Sequence, residues 1–503
     1  MAHRLRSILQ NSQRFIQKGE LERAKALLLE ERKKTADDGL LNLLLGKIFS
    51  VQEKLEQSLE FLWVAYKNAP TIPAIITLLS QQLQKTGNTA QAKKILQQAL
   101  VSSPSDIDIL CEFADLCAFE TDFVQSISTN RRVLLISPDN SLAHANIAEA
   151  HAGMGDFDEA LKNIDKALQQ NNDSQLFLNR AITLLSLGRY KDGWDAYEMR
   201  LNEDIPTSPK RLIRAPRWNH QSLRNKTILV CSEQGVGDEL YFSAYLPWLN
   251  QISGRVIVET DPRLVSLFKR SFKNVATYPF SRRISNKRPI YNYGWLPERT
   301  YPDFFIDLAS LPHFLSDTHA APLNKAGYLK YDEQKSKAWQ RRLEHLSNGK
   351  PVVGLFWRSG LFTPERQHFY PPINLWEPVL RTPNISFLSL QYDHDAEDIK
   401  LAEDLFGASF IKLSDVNFRD DFEELGSICG AITGVISPST TTAHLAAAVG
   451  TRTLVIDQTK TWSPAVDGVD AILPSIERIY PPRYGDWEWV FNKARLKLAS
   501  WLP

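Results

Sequence analysis

Cysteine is scarce: the 503-residue chain has four, Cys111, Cys117, Cys231 and Cys429, with no CxxC pair and no ligand cluster around them. A disulfide framework and a zinc site of the usual spacing are therefore excluded, and a reduced, cytoplasmic setting is expected. An excess of either charge is also lacking, with 59 Lys and Arg against 58 Asp and Glu. That balance argues against a sequence-blind grip on nucleic acid or on an anionic membrane surface. No run of about 18 apolar residues occurs, and no apolar stretch of about 7 to 15 follows the basic residues of the N-terminal MAHRLRSILQNSQRF, so neither a membrane span nor a secretion signal is expected. The glycines complete neither a dinucleotide fingerprint nor a P-loop. Since 503 residues exceed what one core organises, two or three domains are expected.

What is present first is a period. Pro70, Pro104 and Pro138 fall 34 residues apart, and units begun at residues 5, 39, 73, 107, 141 and 175 stay in register. The eighth position reads Ser12, Gly46, Ser80, Ala114, Ala148 and Ile182, and the twentieth reads Ala24, Ser58, Ala92, Ser126, Ala160 and Trp194. Small residues at both places let two antiparallel helices approach closely. Leu45, Leu79, Phe113, Ile147 and Ala181, one position earlier, are assigned to the seam, and the prolines end each second helix. The unit from Ala143, AHANIAEAHAGMGDFDEALKNIDKALQQNND, resembles the tetratricopeptide pattern at almost every diagnostic place. Residues 1–204 are accordingly read as a tetratricopeptide solenoid whose first and last units are degraded as caps, with a groove suited to an extended peptide or partner helix.

Past Tyr197 a different rule applies. Residues 205–226 carry Pro206, Pro209 and Pro216 with scattered charge and read as a linker packed against its neighbours. Strand candidates follow at 227–231 and 255–259, and again at 351–357, 385–391, 431–437 and 452–457, with helical stretches at 239–250, 333–346, 396–406, 420–429 and 441–449. Strands alternating with helices predict parallel sheets and right-handed crossovers, here as two doubly wound halves. Ligands of such sheets bind beyond the carboxyl ends of the strands, so the loops at 232–238, 358–370, 392–395 and 438–444 are expected to meet at one cleft.

Those loops carry a resemblance. SEQGVGDELYFSAYLPWL (232–249), DLASLPHFL (307–315), AGYLKYD (326–332), VVGLFWRSG (352–360), SLQ (389–391), ISPSTTTAHLAAAVG (436–450) and GDWEWVFNKARLKLASWL (485–502) together resemble the bacterial tetratricopeptide-linked glycosyltransferases, which are similar to the heptosyltransferase group of GT-B enzymes. The likeness covers roughly the last 300 residues in order. It implies an α/β GT-B body of two Rossmann-like lobes after the all-α solenoid: an acceptor-side lobe at 227–345, a nucleotide-sugar lobe at 346–484 and a C-terminal helix at 485–503 crossing back to the first lobe.

Sugar transfer from a nucleotide donor requires a held diphosphate, a stabilised leaving group and a base for the acceptor hydroxyl. Ser439, Thr440, Thr441 and Thr442 lie between a strand and an alanine-rich helix, with His444 one turn inside, and could cradle the diphosphate at the helix start. The plainer alternative is that they cap the helix. Asp238, in a Gly-Asp pair, is by resemblance the general base, whereas local sequence alone reads it as an N-cap aspartate; Glu233 is the reserve. Gly235 and Gly237 would let the backbone approach a ligand. Arg358 after its strand could reach a leaving diphosphate, with Arg366 and His368 as alternates, and the resemblance adds Gln391 to the donor side. The Asp393–Asp395 pair invites a metal but is explained by the dipole of the helix that follows, so no metal and no cofactor beyond the donor are expected. His144 and His151 read as packing or groove residues. The basic, aromatic segment 281–300 reads as a border of an acceptor groove or as a solvated insertion.

The chain departs from the family at two carboxylates, having Ser439 within the Ser-X-Asp-Thr loop and Thr433 within the preceding Leu-Asp-Leu. The expectation is a metal-independent glycosyltransferase acting on a protein hydroxyl recruited by the groove, flagellin being one acceptor. A non-catalytic scaffold with a degenerate GT-B body is the alternative. A homo-oligomer is left open.

Overall fold

The computed structural model describes residues 2–233, 235–285, 288–318, 327–360, 366–392 and 395–502. The chain divides into two compact units, Met1–Asn171 and Asn172–Pro503.

The first unit contains ten helices among its described residues: Ala2–Gln17, Leu21–Arg32, Gly39–Val51, Leu55–Asn68, Pro73–Lys85, Thr89–Ser102, Ile107–Phe119, Phe123–Ile136, Ser141–Gly153 and Phe157–Gln170. They form five antiparallel pairs of tetratricopeptide type, and the first helices of pairs two to five begin at 39, 73, 107 and 141, in step with the sequence period. Caps set those starts. Asp38, Asp106 and Asn140 each accept a backbone N–H three residues on, at 2.8, 3.0 and 2.9 Å, while Pro73 takes the first helical position of the third pair. The small residues mark the close approach inside each pair. A Cβ on Gly46 would lie 2.6 Å from Leu62, and Ser58 Oγ donates to the Gly46 carbonyl at 2.8 Å. Leu45, Leu79, Phe113 and Ile147 are buried in the seam.

The turn inside each pair needs one left-handed residue. Gly19, Gly87 and Gly155 supply it at φ of 77°, 78° and 82°, and the same place is filled by Glu53 at 59° and Thr121 at 62°. A β-branched residue there costs about 1–2 kcal/mol that glycine avoids. Thr121→Gly is therefore expected to raise the melting temperature of the solenoid, by about 1 kcal/mol of stability after glycine's own entropic cost. Thermal unfolding followed by circular dichroism reads this, and an unchanged or lowered midpoint would remove the strain argument.

The second unit begins with one more helix pair, Ser174–Ser186 and Tyr190–Tyr197. This pair continues the helical repeat, giving about twelve repeat helices in all. Within the second unit Trp194 packs 5.7–6.0 Å, ring centre to ring centre, from Tyr197, Phe242 and Trp462. Two parallel sheets follow. The first is ordered Val275–Pro279, Arg255–Thr260, Thr227–Cys231, Phe304–Asp307. The second runs Phe410–Ile411, Ser386–Ser389, Val352–Leu355, Gly434–Ser437, Thr453–Ile456, Ile476–Ile479, and ends in the short antiparallel strands Val469–Asp470 and Ala465–Val466. Their central strands are buried on both faces, as strands covered by helices must be.

Two boundaries differ from expectation. The linker 205–226 contains a strand, Lys210–Leu212, which pairs in parallel with Arg288–Asn292; the basic segment 281–300 is therefore the hairpin Arg282–Ser285/Arg288–Asn292 that completes a three-stranded sheet. Helix Glu333–Leu346, assigned to the first lobe, packs on helix Phe422–Cys429, with Trp339 Nε1 donating to Glu424 at 2.6 Å. The final helix Trp487–Ala499 lies against the second sheet. Its apolar side, Val490, Phe491, Ala494 and Leu498, is buried in the core of the second sheet beside Trp376.

Candidate functional site

Strand Thr227–Cys231 delivers the chain to the turn before helix Val236–Phe242. Gly235 is the N-cap and Asp238 the third helical residue, so Asp238 is not the N-cap aspartate that local sequence suggested. Its carboxyl turns back to the Gly235 amide, as the acidic member of a capping box does. Burial, with the neighbouring charge of Glu233, pushes the half-buried Asp238 up to about 6, while Arg200 and the Gly235 amide pull the other way. Glu233, the reserve base, is taken: it is buried, pairs with Arg200 at 3.0 Å and accepts the Ala309 N–H at 2.8 Å.

From the other sheet, strand Gly434–Ser437 leads into helix Thr441–Ala448. Thr440 caps that helix by accepting from Ala443 N at 3.4 Å and shares a 2.8 Å hydrogen bond with Ser437. Thr442 is buried and Ser439 is exposed. The two turns meet: His444 Nδ1 donates to the Gly237 carbonyl at 3.0 Å, and a Cβ on Gly237 would stand 3.3 Å from Thr441 Oγ1. A side chain at 237 would crowd Thr441 Oγ1 and His444 Nδ1 by a few tenths of an ångström. Burial, then Arg478, pushes His444 down to about 4, so the ring is neutral with its proton on Nδ1, and it acts as a tie between the turns rather than as a cation.

Arg358 and Gln391 form a separate cluster. Gln391 is buried, donates to the Arg358 carbonyl at 2.7 Å and accepts from the Trp357 and Arg358 amides. The Arg358 guanidinium meets Asp398 at 3.1 Å, and Trp357 Nε1 meets the same oxygen at 2.8 Å. Arg366 is exposed, and His368, pushed down by burial, lies 4.0 Å from the Phe369 ring at a tilt of 41°. Asp393 and His394 lie outside the described residues; Asp395 accepts from Ser389 at 3.0 Å. Among the described residues no three His, Cys, Asp or Glu side chains converge as a metal requires, and no helix is long and apolar enough to cross a membrane. A cavity of about 440 Å³ is lined by Phe177, Arg180, Asp195, Glu198, Met199 and Asn202 among others, none of them a residue of either turn. In the solenoid, His144 bonds Asn163 at 3.2 Å and His151 bonds Asp156 at 3.0 Å.

Against known proteins, the chain is similar to Protein FlbA of Caulobacter vibrioides, with 29% identity over 441 residues that cover 84% of this chain and 72% of that one. No family model matches. Solved structures with a likeness include a tetratricopeptide repeat protein of Parabacteroides merdae, 19% identical over 40% of this chain and 80% of its own, at a TM-score of 0.35. Another is a thermophilic tetratricopeptide protein of Thermus thermophilus, 20% identical over 36% of this chain and 98% of its own, at 0.32.

Two buried ion networks went unnoticed in the sequence. Under the first turn, Arg211 meets Asp307 at 2.6 Å, Glu259 at 2.9 Å and the Ser232 carbonyl at 2.6 Å. Under the second, Arg478 joins Asp470 at 2.9 Å to Asp457 at 3.3 Å, and Tyr241 of the first turn's helix donates to Asp470 at 3.0 Å. Asp457 also accepts from the Ser439 backbone, so this network fixes the hydroxyl-bearing turn from below. The signal was an acidic residue closing an apolar strand, at RVIVE, FFID and TLVID.

Proposed function

We propose that this chain is a metal-independent glycosyltransferase of GT-B build, moving a sugar from a nucleotide-sugar donor to a hydroxyl of a protein acceptor, of which flagellin is one example, recruited by the solenoid. The observation that carries this reading is the meeting of the Gly235–Asp238 turn with the start of helix Thr441–Ala448, each beyond the carboxyl end of a parallel strand. In this mechanism Asp238 takes the acceptor proton as the hydroxyl oxygen attacks the anomeric carbon, and the bond from that carbon to the diphosphate oxygen breaks. Its raised proton affinity makes it a stronger base than an ordinary carboxylate while leaving it ionised at neutral pH. The N–H groups of Thr441 and Thr442 would take up the charge of the departing diphosphate, with the Arg358 guanidinium, which Asp398 holds at 3.1 Å, as a second cationic donor.

The scaffold reading has its own support: Thr440 and His444 are spent on capping and on the tie to Gly237. A thermal-shift series with nucleoside diphosphates and nucleotide sugars separates the two. A ligand at about 100 times its Kd adds about 2.7 kcal/mol, a rise of several degrees. A response to at least one nucleotide sugar, followed by transfer to a protein hydroxyl, is expected. Silence across the whole series leaves the scaffold.

A further inference from the structure

The last helical pair ends against the α/β body. Its closing turn, Glu198–Leu201, carries Arg200 inward, where it is 2% exposed. Arg200 Nη2 donates to Glu233 Oε1 at 3.0 Å and to Ser310 Oγ at 2.9 Å, and its Nη1 donates to Glu198 at 2.9 Å. The same Glu233 oxygen accepts the Ala309 N–H at 2.8 Å. Glu233 opens the turn that carries Gly235 and Asp238, and Ala309 and Ser310 follow the neighbouring strand Phe304–Asp307. One guanidinium therefore joins the end of the repeats to two segments beyond the carboxyl ends of adjacent parallel strands, where such sheets hold their ligands. Tyr197, three residues earlier, reaches the other sheet. Its ring lies 4.8 Å from the Arg200 guanidinium and is stacked 6.5 Å from Trp462, in the loop after strand Thr453–Ile456.

Arg200 is also the cation bonded to Glu233, which is 7% exposed. Facing Asp238 are Glu233, Arg200 and the Tyr197 hydroxyl, while His444 of the opposite helix is neutral and bonded to Gly237. Facing Arg200 are Glu198, Glu233, Tyr197 and Asp307, and Arg217 shares Glu198 and Ser310 with it. Without Arg200 the buried Glu233 carboxylate would lose its cation beside a second carboxylate, an arrangement that favours a proton on the pair. The planar fork of arginine serves Glu198 and Glu233 from separate nitrogens, which the single ammonium of lysine does not reproduce.

We propose that Arg200 is a positioning residue of the transfer site: it holds Glu233, and through Glu233 the turn bearing Asp238, in place and in charge balance while Asp238 meets the acceptor hydroxyl. The site is then built from three segments, the two strand-to-helix turns and the end of the helical repeats. This inference rests on the transferase reading above and adds to it the element that sets the base.

The test follows transfer from the nucleotide sugar giving the largest thermal shift to purified flagellin, across pH, for the full-length wild type, Arg200→Met, Arg200→Lys, Glu233→Gln and Arg200→Met/Glu233→Gln. Arg200→Met should lower kcat at pH 7 by about tenfold or more, leave KM for the donor within about twofold, and move the acid limb of kcat/KM upward by about 0.5 pH unit or more. Glu233→Gln leaves the cation without its anion and should move the limb downward. Arg200→Lys keeps the charge without the fork and should restore part of kcat. The double variant removes both charges, so its limb should return to within about 0.3 pH unit of the wild type, although the ion pair is gone. A pair that served stability alone would lower the melting temperature of Arg200→Met without moving the limb, and the double variant would be no better than the single one. An unmoved limb in Arg200→Met, or a double variant displaced as far as the single, overturns the proposal. If Arg200→Met does not fold, Glu233→Gln and the double variant carry the same comparison. A wild type that transfers nothing at any pH removes the transferase reading and the role of Arg200 with it; transfer that is indifferent to Arg200 removes that role alone.

Discussion

Asp238→Asn is expected to lower the rate of sugar transfer by about 10² to 10⁴, the usual range for a lost general base, while leaving donor-induced stabilisation unchanged. The amide keeps the shape of the carboxyl and its place against the Gly235 amide, so the helix start should survive. A pH profile gives a sharper reading. The base must be deprotonated, so kcat/KM for the wild type should climb as pH rises through about 6 and level off above it, and the asparagine variant should lack that limb. Arg200→Met removes a cation that favours the ionised form of Asp238 and should move the limb to higher pH. Equal rates for wild type and Asp238→Asn at pH 8, with transfer established, would take the base away from Asp238.

Repeats were legible because their determinants are local. Period, caps and small residues all lie within one 34-residue unit, so helices beginning at 39, 73, 107 and 141 follow from neighbours a few positions away. Glu53 and Thr121 hid the left-handed turn that Gly87 and Gly155 announced, because nothing in either side chain signals a positive φ. In the α/β body the apolar strands at 227, 352, 434 and 453 were readable, whereas Ile476–Ile479 was not, since Arg478 interrupts its run and is buried only because Asp470 and Asp457 surround it. The same limit applies to the site. Residues 235–238 and 439–444 were visible as strand-to-helix turns, and the sequence offered both a capping and a ligand role for the hydroxyls; Thr440 turns out to cap, while Ser439 stays exposed. Their partners were invisible. Arg211 sits in a segment that reads as a linker, and its acidic partner Asp307 is 96 residues away; nothing in the sequence singled out Asp398, which holds Arg358 from 40 residues away. An acid that closes an apolar strand is a local pattern, but its cationic partner is set by the fold, which is why the loops could be located and their ion pairs could not.

That dependence on distant charge makes Arg211 the residue whose loss should cost the fold most. Its guanidinium is almost wholly buried and serves Asp307, Glu259, Tyr293 and the Ser232 carbonyl together. Arg211→Met fills similar space but strands buried Glu259 and leaves Asp307 with Arg217 at 3.5 Å, a loss of about 3–5 kcal/mol at pH 8. The sign of the pH dependence follows from those carboxylates. Against the upward push of burial, Arg211, then Arg200 and Arg217, hold Asp307 below its ordinary range; that stability is present above the unfolded value near ~3.9 and disappears only as pH falls beneath it. Burial already pushes Glu259 upward despite Arg211. Without the guanidinium Glu259, already pushed upward by burial, favours a proton in the folded state still more, while Asp307 keeps Arg217 and Arg200, so the variant should recover part of its deficit between pH 8 and pH 5.5. Urea unfolding of both proteins at the two pH values measures this. A deficit below about 1 kcal/mol, or one that does not narrow on acidification, would mean that the network contributes little to holding the first turn in place.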